Sequence, residues 1–282
     1  MRLRVASLAA LFVASAGAAQ ASGPVDLFYE RSLMRAADQR CGLFDRPVAV
    51  ALAVAAAQAE GAAVRAGVQP KHLAQIELRA RRRASETACG SADLQLAAAR
   101  VRDAFDGWAR TVRITFPGTA ADWRADRTPT RTLRWRLVQS MGADQFGVAG
   151  RGTDQALVAV TTAEGRRPYA ARLVLRDSAR DPRPWLGDVG RAAGARTIFA
   201  QAASAAEAAL LPAGRKAGLA FRFPREASDA IAALDTRESF AVEYLYATPD
   251  GGPDRVRRVR FEVGDFAAAH AFLALGGPGS AG

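Results

Sequence analysis

Residues 41–89 read CGLFDRPVAVALAVAAAQAEGAAVRAGVQPKHLAQIELRARRRASETAC, and the cysteines at the two ends are the only two in the chain. Apolar residues recur at helical spacing through this run and its flanks. Upstream, Leu27, Met34, Ala37 and Cys41 form one stripe over about Val25 to Arg40, which puts Cys41 at the end of a first helix. Gly42 breaks it. Asp45 is placed to cap a second helix, with Pro47 in its first turn, where a missing N–H costs nothing. That helix runs to Ala66, stops at Gly67, and carries Val48, Leu52, Ala55, Ala59 and Ala63 on one face. Pro70 opens a third helix with Leu73, Ile76 and Ala80 inward, ending near Cys89 and Gly90. Ser91 is the expected cap of a fourth, whose Leu94, Ala97, Ala98, Val101, Phe105 and Trp108 make an i, i+3, i+4, i+7 stripe.

Short loops make successive helices antiparallel neighbours, so Cys41 and Cys89 fall at the same end of the bundle. A disulfide between them closes a loop of 47 intervening residues. The chain-entropy model gives such a loop about 4 kcal/mol at the upper end.

The N-terminus has the three parts of an export signal in order. Met1-Arg-Leu-Arg4 is basic, Val5 to Ala16 is apolar, and Ala19-Gln20-Ala21 offers a small-x-small cleavage site before Ser22. No cysteine follows the apolar stretch directly, which argues against a lipid anchor. The apolar core of the second helix, Pro47 to Ala57, is shorter than the ~20 residues a bilayer span needs. The alternating strands and aromatic girdles of an outer-membrane barrel are missing from the pattern. The expectation is a soluble periplasmic or secreted protein without a transmembrane span once residues 1–21 are removed, in a compartment that permits the disulfide.

The formal charge is +11. Only Lys71 and Lys216 are lysines. With so much alanine beside it, the arginine excess reads as coding bias and not as a nucleic-acid footprint. A basic exported chain suits an anionic envelope component or another envelope protein as partner, and no nucleic acid. The densest cluster is Arg79, Arg81, Arg82 and Arg83, which on a helix do not share one face. It is the candidate anion-docking patch, or a solvated helix end where cations suit the dipole.

Pro117-Gly118 and Thr128-Pro129 make 113–130 a connector, with one short strand at Val112 to Phe116. From Arg131 the apolar period changes from about 3.6 to 2. Strands are expected around Leu133–Val138, Gln145–Ala149, Leu157–Thr161, Tyr169–Arg176, Thr197–Ala202 and Leu219–Phe223. A helix follows at Arg225–Leu234, then a hairpin of Ser239–Ala247 with Arg255–Val263. Pairing Phe240 with Val263, Val242 with Phe261 and Tyr244 with Val259 matches its apolar faces and sets Glu243 beside Arg260. Asp265 caps a last helix containing His270, and 276–282 is a flexible tail. The fold class is α+β: a disulfide-pinned four-helix domain at 22–112, then an antiparallel β-rich domain at 131–275, one sheet of six or seven strands with two or three helices on it.

The chemistry available is narrow. His72 and His270 stand alone, without a second ligand at metal spacing, and no metal or cofactor is expected. No nucleophile elbow, Walker A or dinucleotide fingerprint occurs. Glu243, Glu262 and Asp188 are the carboxylates to consider, and on hairpins such acids usually pair with arginines across the strands. Three functions fit: a non-enzymatic binding or envelope-interaction protein; a carboxylate-dependent hydrolase or lyase on envelope glycans; a small-ligand binder with a pocket between the domains near Trp123 and Trp185.

Cys41-Gly-Leu-Phe44, the alanine-rich helix after it and Arg65-Ala-Gly67 resemble a set of uncharacterised exported proteins of alphaproteobacterial type, a resemblance over most of the mature chain that implies no particular activity. Val263-Gly264-Asp265-Phe266-Ala267-Ala268-Ala269 resembles the strand-to-helix Gly-Phe-x-x-Ala passage of the invasion-associated locus B family of exported proteins, with Asp265 added. That covers only the last third of the chain, which has no cysteines there. It implies an antiparallel β fold, and no site residue is carried over.

Overall fold

The computed structural model describes residues 23–109, 111–162, 165–187 and 194–274. The signal peptide expected at 1–21, the tail at 276–282 and Asp188 lie outside the described residues.

Four helices come first: α1 (Pro24–Cys41), α2 (Arg46–Arg65), α3 (Pro70–Glu86) and α4 (Ala92–Ala109). Gly42 ends α1 in the left-handed region at φ 60°, its N–H donating to Asp38 O. Asp45 caps α2, its carboxylate accepting from Val48 N–H. Ser91 makes no side-chain cap: its hydroxyl is buried without a partner. α1 packs against α2 and α3, and α4 against α2. Three apolar clusters hold them, around Phe28, Ala63, Leu73 and Ile76, around Met34, Leu52, Leu94 and Ala98, and around Val48, Ala51 and Phe105. Cys41 and Cys89 form the expected disulfide with Cα atoms 5.6 Å apart. α2 is long and apolar enough to cross a membrane by length and composition, and half of that window is buried inside this fold.

The rest of the chain builds two antiparallel sheets, where the alternation pattern suggests one. The larger has strand order β1-β2-β3-β4-β5-β9-β8 and the smaller β11-β10-β6-β7. In chain order these are β1 (Arg113–Phe116), β2 (Trp123–Asp126), β3 (Arg134–Met141), β4 (Asp144–Arg151), β5 (Asp154–Thr161), β6 (Ala170–Arg176), β7 (Ala195–Phe199), β8 (Ala202–Ala205), β9 (Leu219–Phe223), β10 (Ser239–Tyr246) and β11 (Arg255–Glu262). Helices α5 (Glu226–Ala232) and α6 (Phe266–Ala274) flank the last hairpin. Inward residues of both sheets meet in one core with Phe146 at its centre, its ring 4.9 Å from Phe240 and 5.4 Å from Phe261.

Three further expectations are corrected. The connector at 113–130 holds the expected short strand, β1, and also β2, which pairs Trp123 with Phe116, both fully buried. The single strand at Thr197–Ala202 is two strands in different sheets: Ala200 N–H still reaches β6 at Ala171 O, and Gln201 N–H already reaches β9 at Arg222 O. The last hairpin pairs Phe240 with Phe261, Val242 with Val259 and Tyr244 with Arg257, two residues from the expected register, and Glu243 stands opposite Arg258 in place of Arg260. A slip of two keeps every side chain on its face, so apolar matching cannot distinguish the two registers. The observed one sets Arg257 over the Tyr244 ring at 4.6 Å and brings it to Asp144, a buried carboxylate that would otherwise lack its cation.

The helical and β parts meet along α2 and α6. Val54 of α2 belongs to the sheet core, and Trp108 packs on Phe272 with ring centres 5.2 Å apart. Arg65 grips Asp265 with two hydrogen bonds of 2.6 and 3.1 Å. Gly61 permits that approach: a Cβ there would lie 2.7 Å from Asp265 Oδ1 and 3.1 Å from Thr236 Cγ2.

Two outcomes are expected. Reduction and alkylation of Cys41 and Cys89 lowers stability in urea unfolding by up to about 4 kcal/mol, the closure entropy of their loop. Gly61→Ala gains about 1 kcal/mol of helix propensity but displaces Asp265 from Arg65. The overpacking cost of about 1–3 kcal/mol prevails, giving a lower Tm by differential scanning calorimetry; a raised Tm would show that the junction yields.

Candidate functional site: an arginine face and two grooves

The internal acids are held by arginines and amides. Glu238, 1 % exposed, takes two hydrogen bonds from Arg176 at 2.8 and 2.7 Å, with the N–H groups of Trp185 and Asp235 at 3.1 and 2.8 Å. It thereby pins the loop after β6 to the smaller sheet. Glu243, equally buried, sits between Arg172 at 2.7 Å and Arg258 at 2.8 Å. Burial alone would raise its pKa, but the hydrogen bonds from Arg258 and Arg172 outweigh that and hold the carboxyl below the usual range. Glu262 accepts the backbone N–H groups of Thr119 and Ala120 at 2.7 and 2.9 Å, and Gln139 ties the same strand end back to the larger sheet. Asp265 goes the other way: burial raises its pKa despite Arg65.

The four arginines of α3 are all exposed. At 100° per residue, Arg79, Arg82 and Arg83 fall within an arc of about 100° on the helix, so three of the four share a side. Arg81 faces away and pairs with Glu77 at 2.7 Å. Arg79 lies 6.0 Å from the Tyr29 ring centre. Beside Arg82, one turn earlier, is Leu78, 64 % exposed. The opposite face carries the buried Leu73, Ile76, Ala80 and Ala84. Leu78 has no role in that packing.

Two grooves lie on the outer face of the larger sheet. The first, about 370 Å³, is floored by Ala149, Ala156 and Ala220. Its charges are matched across it, Arg151 with Glu207 at 2.9 Å and Arg222 with Asp154 at 3.4 Å. The second, about 350 Å³, runs over β1, β2 and β3 between Arg113, Arg124 and Trp135. Its one acid, Asp126, is engaged by Arg113 at 3.0 Å and Arg134 at 3.4 Å. Burial would raise the Asp126 pKa, but bonds from Thr128 and Arg113 leave it lowered. Arg113, Arg124 and Asp126 fall in the stretch read as connector. The alternation of Arg124 and Asp126 with Trp123 and Ala125 was the available sign of a strand there.

Neither Trp123 nor Trp185 lines either groove. Trp123 is fully buried, its indole N–H shared between the carbonyls of Glu262 and Val263. Trp185 is half-buried in the loop after β6 and donates to Asp181 at 2.8 Å. His72 is exposed in the first turn of α3. His270 stacks on Phe266 at 5.8 Å, and burial lowers its pKa. Among the described residues no group of three or more His, Cys, Asp or Glu could hold a metal ion.

Comparison with known proteins adds no name to this geometry: no family model, no curated protein and no solved structure matches the chain.

The Glu243 cluster generates a pH signature. Its folded carboxyl titrates below the unfolded one, so its stabilisation is complete above the ordinary glutamate range of about 4.3 and is lost as pH falls through the folded value. Glu243→Gln is expected to cost about 1–2 kcal/mol at neutral pH, less than a fully buried pair because Arg172 and Arg258 are partly solvated. In a series of Tm measurements from neutral to strongly acidic pH, the gap between variant and parent closes toward the acid end; a constant gap would rule the cluster out as its source.

Proposed function

We propose that this chain is an exported periplasmic protein without catalytic chemistry of its own, which docks on an anionic, amphiphilic component of the cell envelope through α3. The observation that carries this reading is the exposed Leu78, which stands between Arg82, about 40° round the helix on one side, and the Glu77-paired Arg81, about 60° on the other, with Arg79 and Arg83 further round beyond Arg82. An apolar side chain set among cations on a solvent face suits a surface that offers both negative charge and hydrocarbon. The expected export signal and the net charge, +9 once Arg2 and Arg4 leave with residues 1–21, support it. The state of the acids supports it too. Glu238, Glu243 and Asp144 are bound by guanidinium groups. The first groove does bring two acids together, but each stands against an arginine.

The test is co-sedimentation of the mature protein, residues 22–282, with vesicles containing anionic phospholipid and with purely zwitterionic ones. Binding to the anionic vesicles at low salt, lost at high salt, is expected. At about 1 kcal/mol per cation near such a surface, replacing Arg82 and Arg83 together by alanine weakens it about 30-fold. Leu78→Asp weakens it independently of the arginines. Equal affinity for both vesicle types, or none at either salt, would overturn the reading.

A further inference from the structure

The two sheets end in four edge strands, β1 and β8 in the larger, β11 and β7 in the smaller. An edge presents unpaired N–H and C=O groups, and soluble proteins blunt it with charge, proline or bulges. β1 carries Arg113, β7 carries Arg196, and β11 carries Arg255, Arg257, Arg258 and Arg260. β8, Ala202-Ala203-Ser204-Ala205, has no charge and no proline, and all four residues are exposed. The direction of its free groups follows from its pairing with β9. Ala206 N–H donates to Gly218 O, and Ser204 opposite Ala220 and Ala202 opposite Arg222 continue the same register. Antiparallel pairs alternate between bonded and non-bonded. Residues 202, 204 and 206 therefore bond to β9, and the peptide groups of Ala203 and Ala205 turn outward. On that side β8 has no neighbouring strand among the described residues.

We propose that β8 is a docking edge for an extended, acidic segment of a partner protein, which adds to the larger sheet as an eighth strand. The outward groups of Ala203 and Ala205 supply main-chain hydrogen bonds, and alanine and serine side chains let an incoming strand lie flush. The 370 Å³ groove, lined by Ala202, Ser204 and Ala205, opens beside the strand and receives side chains from one face of the incoming segment. Charge chooses the occupant. The groove's own charges are matched by its two ion pairs, but residues 195–225 add Arg196, Arg215, Lys216 and Arg225, all exposed, and no further acid. A second copy of this basic edge is repelled, and an acidic strand is attracted. The edge is independent of α3, so each proposal stands or falls alone.

The probe is a fluorescent eight-residue peptide of alternating valine and glutamate, titrated against the mature protein by anisotropy. Three comparisons decide. The same peptide N-methylated at alternate residues keeps its charge but loses donors, and is expected to bind at least about tenfold more weakly, the worth of one or two hydrogen bonds. Ala203→Pro removes an outward N–H without touching a bond to β9, and is expected to weaken binding as much while Tm holds. A valine–lysine peptide is expected not to bind. Equal binding of the methylated peptide, or no effect of Ala203→Pro in a folded variant, would reduce the interaction to charge alone and overturn the proposal. A peptide-free dimer in sedimentation velocity that A203P dissolves would assign the edge to a second copy instead, and would overturn it too.

Discussion

The bidentate contact of Arg65 with Asp265 fixes where the two halves of the chain meet. Its carboxylate is almost wholly removed from water, with a side-chain exposure of 2 %. A buried carboxylate is costly unless a cation is held against it in good geometry. That geometry requires α2 to approach the start of α6 closely, and a glycine at 61 is what makes the approach possible. Val54 then reaches the sheet core and Phe272 reaches Trp108. The helical bundle is thus seated on the β sandwich by apolar contact, and the ion pair sets its position along α2.

The same solution recurs through the β part. Arg176 with Glu238, Arg257 with Asp144, and Arg172 and Arg258 with Glu243 each take an acid out of water only together with a planar guanidinium donor. Arginine suits these four sites better than lysine would, because its planar fork offers a carboxylate two donors at once. The cations fall into two populations. Arg176, Arg257, Arg172 and Arg258 hold acids, and Arg79, Arg82 and Arg83 on α3 are exposed. A count of charge cannot tell them apart; burial can.

The helical half was almost fully legible in the sequence because long helices repeat their apolar pattern often enough to be unambiguous. Their stop signals, Gly42 and Gly67, are local chemistry, and the cysteine pairing followed from antiparallel order. The β half was legible strand by strand and much less so as an assembly. β1 and β2 have four residues each, too few for alternation to rise above the Pro-Gly punctuation around them. β7 and β8 look continuous because crossing between sheets takes only two residues. The hairpin register was ambiguous because two registers share one apolar pattern, and the buried ion pair that distinguishes them joins residues 113 positions apart. Trp123 looked like a loop residue for the same reason: the carbonyls that hold its indole come from residues 139 and 140 positions away. The arginine cluster of α3 was visible, but Leu78 gained meaning only once the helix had a buried side.

The position of the disulfide in the chain has a consequence for biogenesis. Cys41 and Cys89 are 48 positions apart, and among the described residues both precede every strand. In a polypeptide delivered amino end first, the covalent link can close once residue 89 has emerged, while the whole β sandwich is still to come. The oxidised bundle then offers the later-arriving α6 a preformed surface, with Arg65 already held at the end of its helix. Maturation in this order is templated from the front, and the ion pair at the junction is the point at which the second half is registered on the first.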